Sequence, residues 1–118
     1  MNIAKEYLKK IKATCAANDI ELLVVLLPPK VDVDEGVREQ IQKDSGWTKG
    51  EMAVIETLKN SLITSLKKMN IATLDLQSDF QASTENLYWH ADHHLNVDGH
   101  ALASKVLFGN YNWESIVD

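Results

Sequence analysis

Ile20-Glu21-Leu22-Leu23-Val24-Val25-Leu26-Leu27-Pro28-Pro29 contains the longest apolar run of a 118-residue chain and ends on two prolines. A run of this kind, nearly all branched aliphatic, offers water no alternate face and suits a strand covered on both sides, as in a parallel sheet. Pro28 and Pro29 end it because neither can donate to a strand ladder. It is far too short to span a bilayer.

On the N-terminal side, Ile3, Tyr7, Leu8, Ile11 and Cys15 recur at helical spacing, which predicts an amphipathic helix from residue 3 to about 17, ending near Asn18-Asp19. On the C-terminal side, Val33, Val37 and Ile41 predict a short helix over 33–43, followed by the loop Lys43-Asp44-Ser45-Gly46-Trp47. Thr48 and Glu51 stand as a capping box. Behind them Met52, Ile55, Leu62, Leu66 and Met69 mark one face of a long helix running to about Lys68, with Lys67 and Lys68 at its negative end. Ile71 to Leu76 reads as a second strand. Asn96 can cap a last helix whose Gly99, Leu102, Ala103, Val106 and Leu107 face inward.

Helix, strand, helical crossover, strand, loop and helix in that order follow the logic of an α/β fold with parallel strands. Two strands make a poor sheet, however, and a pair this apolar needs neighbours. The remaining strands are therefore expected in a preceding segment or from a second chain, and the isolated chain is expected to self-associate or to be marginally folded.

Composition bounds the function classes. Hydrophobic content of 45% and charged content of 25% are ordinary for a globular domain, and 118 residues allow one domain at most. A net charge of −5 argues against nucleic acid, whose recognition relies on clustered Lys and Arg. Lys5, Lys9, Lys10 and Lys12 do cluster, but they share a helix with an apolar stripe and read as its solvated face. Cys15 reads as an inert core thiol. Residues 1–15 hold no secretory apolar region, and the sequence leaves the compartment open.

Chemistry concentrates in Tyr88-Trp89-His90-Ala91-Asp92-His93-His94-Leu95-Asn96-Val97-Asp98-Gly99-His100, which contains all 4 histidines. Asp92 lies two residues before His94, a spacing that puts both side chains on one side of an extended segment. A carboxylate so placed can hold an imidazole in one tautomer and stabilise its cation, giving a proton-transfer pair. A polar loop with an incidental Asp fits the same letters. His90, Asp92, His93, His94 and His100 also offer donors that zinc accepts, but their spacings match no common zinc pattern and no metal is expected. Trp89 reads as core or rim packing and Trp113 as an anchor for the tail; Trp47 is left open.

The stretch Asp92 to His100, followed by Ala101-Leu102-Ala103, resembles the C-terminal motif of the SGNH/GDSL hydrolase superfamily. The likeness is strongest to bacterial branches reading Asp-x-His-Leu-Asn-x-x-Gly-His, which include polysaccharide O-acetyltransferases and esterases with a Ser-His-Asp triad. The upstream order, a strand ending in Pro and a short strand with Asp75, is compatible. The resemblance implies an α/β fold in which this chain forms part of a three-layer, flavodoxin-like parallel sheet with flanking helices. It implies His94 as general base and Asp92 as its orienting carboxylate. Asn96 would cap the last helix and Gly99 would let it approach the sheet. The substrate would be a small-molecule or carbohydrate ester, with no cofactor.

This chain departs from the family pattern in one large respect. The family's nucleophile lies in a Gly-Asp-Ser segment after its first strand, and its oxyanion-hole Gly and Asn come from the next two loops; these segments have no counterparts here. Lys43-Asp44-Ser45-Gly46 follows the wrong element, so Ser45 reads as a turn serine. Residues 1–118 are therefore expected to be the C-terminal half of a single SGNH-like domain, supplying the His and Asp of a triad. A chain of this kind, lacking the electrostatic stabilisation that dominates acyl transfer, should show no appreciable esterase activity alone. The alternative is a non-catalytic assembly module that keeps the end of this fold and pairs its sheet edge with another chain.

Overall fold

A computed structural model describes residues 2–110. Trp113 lies outside the described residues. The order is α1 (Asn2–Ala17), β1 (Leu23–Leu26), α2 (Lys30–Val33), α3 (Glu35–Ser45), α4 (Lys49–Lys68), β2 (Ala72–Asp75), α5 (Gln77–Ala82) and α6 (Val97–Asn110). This is a helix-rich α/β chain whose sheet is a parallel pair, β1 beside β2. The described residues divide into two compact units, one made of the residues up to Val25 with Trp47–Leu74, the other of Leu26–Gly46 with the residues from Asp75 onward.

In the first unit, α4 begins at the expected capping box. Thr48 Oγ1 accepts from Glu51 N at 3.2 Å, and the Glu51 carboxylate accepts from Thr48 N at 2.8 Å. These two bonds satisfy donors that a bare helix start leaves open, and the Thr48 N–H, followed by the Thr48 hydroxyl, holds the Glu51 carboxyl below its usual range. Met52 and Leu66 of α4 are buried, as is Ile71 after it. Lys12 departs from the solvated face read in the sequence: its Nζ donates to the carbonyls of Met69 and Asn70, where α4 ends and its carbonyls lack helical partners.

Two expectations for this unit need correction. The stripe on α1 does not face a core along its first half, since Ile3, Tyr7 and Ile11 are 71%, 60% and 46% exposed. Cys15 is half-buried beside a small hollow formed with Ala16, Ile20, Leu22 and Ile71. The apolar run likewise pairs over four residues only, because β2 offers four, and its residues are half-buried rather than covered on both faces. Ile20 and Leu27 at its ends are exposed.

In the second unit the expected helix over 33–43 is two helices. Asp34 breaks it by turning extended and accepting from Val37 N at 3.1 Å, which caps α3. α3 then runs through Ser45 and stops at Gly46, whose φ of 69° is left-handed. The short helix α5 has no counterpart in the sequence reading. Asp75 Oδ1 starts it by accepting from Gln77 N at 3.0 Å, and its Phe80 is buried. Leu76, Phe80, Leu87, Tyr88 and Val106 form the core here, with the Phe80 and Tyr88 rings edge to face at 6.3 Å.

Candidate active site

The histidine-rich loop is closed at its base by backbone hydrogen bonds. Tyr88 and Leu95 form an isolated antiparallel bridge, Trp89 N donates to His94 O at 2.9 Å, and Asn96 N donates to Leu87 O at 3.0 Å. Asn96 ties this base to α6 with its side chain as well. Its Nδ2 donates to Asn86 O, while its Oδ1 accepts from Gly99 N at 2.9 Å and so caps the helix. Gly99 is needed where it stands, because a Cβ there would lie 2.2 Å from the Leu87 carbonyl oxygen. The close approach it permits is thus to the loop base, not to the sheet as the resemblance implied.

Above this base the chain bends through His90 to His94, all exposed. Asp92 Oδ1 accepts from His94 N at 2.9 Å and lies 3.3 Å from His94 Nδ1. The two residues expected as a pair are therefore together, but a tight turn joins them rather than an extended segment. The His94 backbone N–H is the main cause holding the Asp92 carboxyl below its usual range; partial burial opposes it, and the His94 ring and His93 charge add to it. The His94 side chain is 88% exposed and that of Asp92 55%. Trp89 is 53% exposed and so lies outside the core.

Sequence reasoning did not single out the polar residues buried beside this loop. Lys30 and Asp32 of α2 are 7% and 8% exposed. Lys30 Nζ donates to Trp89 O at 3.1 Å, and the Tyr88 hydroxyl donates to Pro28 O at 2.6 Å. Arg38 pairs with Asp32 at 3.0 Å, and Gln81 Nε2 donates to the Asp32 carbonyl. Burial, and then the Asp32 charge, push the Tyr88 phenol up to about 12. The available signal was charge placed directly after Pro28-Pro29, where the chain turns back into its own fold. Lys30, Phe80, Glu85, Leu87, Tyr88 and His90 line part of a cleft of about 530 Å³; Asp92 and His94 are not among its walls.

Ser45 is not presented as a nucleophile. It is the last residue of α3, and its hydroxyl donates back to Ile41 O at 2.7 Å. Among the described residues, no three His, Cys, Asp or Glu side chains converge as metal ligands, and no helix is long and apolar enough to cross a membrane. Comparison with curated proteins and with solved structures finds no match. The family model for the SGNH hydrolase-like domain of the acetyltransferase AlgX, by contrast, matches residues 1–112, so the chain belongs to that SGNH hydrolase-like family.

Proposed function

We propose that this chain supplies the His and Asp of an acyl-transfer centre that hydrolyses an ester or moves an O-acetyl group. The observation that supports this most is the contact between Asp92 and His94 in a turn pinned to the start of the last helix. Asp92 facing Nδ1 favours the tautomer with the proton on that nitrogen, which leaves the Nε2 lone pair to take a proton from a serine hydroxyl. Serine then attacks the acyl carbonyl, and the imidazolium returns its proton to the leaving alkoxide. Acyl transfer of this kind needs no cofactor.

In this reading the nucleophile and oxyanion donors come from a segment outside these 118 residues, with which residues 1–118 complete a single three-layer domain. That segment adds strands to the unpaired edges of the sheet and covers the pair, which would otherwise act in full solvent. The partner is an ester-bearing small molecule or carbohydrate, and a net charge of −5 disfavours nucleic acid. A second reading, a non-catalytic assembly module, draws support from the same unpaired edges.

A fluorophosphonate probe separates the two readings when applied to the full-length protein that carries this domain. The catalytic reading expects one labelled serine outside residues 1–118, with labelling slowed at least about a hundredfold by His94→Ala. No labelled serine would leave the assembly reading, and labelling at Ser45 would overturn the location of the nucleophile.

A further inference from the structure

The turn that carries Asp92 and His94 is exposed from His90 to His94, so its own side chains do little to fix it. Its neighbour Trp89 is held from two sides. The Trp89 N–H donates to His94 O, and the Trp89 carbonyl accepts from Lys30 Nζ, which reaches it from 59 residues away in sequence. Next to this bond, Tyr88 reaches back to the Pro28 carbonyl. Two hydrogen bonds running in opposite directions thus fasten Pro28–Lys30 to Tyr88–Trp89.

Burying an ammonium group is costly, and buried cations normally face carboxylates. Lys30 is 7% exposed as a whole residue and lines the cleft, and its partly buried Nζ bonds to a main-chain carbonyl. A charged donor makes a stronger bond to a carbonyl than a neutral one, and it fixes that carbonyl's direction. Fixing the Trp89 carbonyl fixes the peptide plane that leads into the turn, one hydrogen bond away from His94.

We infer that Lys30 is a positioning residue: through the Trp89 carbonyl it holds the turn in the shape that keeps the Asp92 carboxylate against His94 Nδ1. This rests on the reading of Asp92 and His94 as a proton-transfer pair. Tyr88 shares the fastening, but only Lys30 grips the residue that also bonds to His94.

The test is the tautomer of His94, read by long-range proton–nitrogen NMR correlation in the full chain with the ring neutral. The proton should sit mainly on Nδ1 in the unmodified protein and move mainly to Nε2 in Asp92→Asn. Lys30→Met should reproduce the Asp92→Asn tautomer while the other three rings keep theirs, and Lys30→Arg, which keeps a cationic donor, should restore Nδ1. If Asp92→Asn leaves the tautomer unchanged, the pair itself fails and this inference falls with it. If Asp92→Asn moves the proton but Lys30→Met does not, or if Met and Arg act alike, the pair stands and the role of Lys30 is wrong. Should Lys30→Met not fold, Lys30→Gln, a neutral donor of shorter reach, is read the same way: a proton moved mainly to Nε2 of His94 supports the inference, and one kept on Nδ1 overturns it.

Discussion

The base of the histidine-rich loop and its tip are a few residues apart and differ in almost every physical respect. At the base, Leu87 and Tyr88 are buried, Gly99 leaves no room for a methyl group, and Asn96 uses backbone and side chain together. At the tip, Asp92 and His94 touch each other in solvent. The motif Asp-x-His-Leu-Asn-x-x-Gly-His therefore contains two layers of information. Its Asn and Gly specify a scaffold, and its Asp and His, in the function proposed above, would supply the chemistry that the scaffold displays.

Substitutions at the base should cost stability and those at the tip should not. Gly99→Ala should have the largest effect, about 3 kcal/mol by urea unfolding, because the obstructing atom is a backbone oxygen that cannot rotate away. A loss below about 1 kcal/mol would mean that α6 does not pack as closely on Leu87 as described. Asn96→Ala should follow at about 2 kcal/mol, combining a lost helix cap with a lost donor to the Asn86 carbonyl. Asn96→Asp keeps the cap oxygen and should recover about half of that.

Tyr88→Phe should cost about 1.5 kcal/mol by leaving the Pro28 carbonyl without its donor. The same residue gives the comparison a pH dependence. Its folded-state value of about 12 exceeds the ordinary 10.0, so folding favours the protonated phenol. That contribution is complete below pH 10, declines above it and is lost by about pH 12. Tyr88→Phe should remove this decline, and a tyrosinate absorbance step near pH 12 should vanish with it. Asp92→Ala at the tip should have the smallest effect, leaving the urea midpoint at neutral pH close to that of the parent, since its carboxylate is exposed.

The parts of the molecule legible in the sequence were those set by local chemistry. The Thr48–Glu51 box, the extent of α4 and the Asn96 cap each depend on residues within one helical turn. The Asp92 and His94 contact was legible for the same reason, although the turn that makes it was not. The cover of each face depends on distant partners, so the exposed stripe on α1 and the half-buried β1 were both misjudged. Lys12 and Lys30 carry the same point for charge. Spacing placed Lys12 on a solvated face, and nothing local marked Lys30 as buried, yet each reaches a carbonyl more than fifty residues away.

The central claim is that one histidine of four does the chemistry, and a histidine scan in the protein that holds the proposed nucleophile tests it directly, with p-nitrophenyl acetate as the acyl donor. Replacing His94 by Gln should lower kcat about a thousandfold with KM little changed, as expected for a group needed in the transition state. His90, His93 and His100 changed to Gln should each stay within about threefold of the parent, as groups outside the proton transfer do. A loss centred on His93 or His90, or one shared evenly among the four, would contradict the assignment of Asp92 and His94.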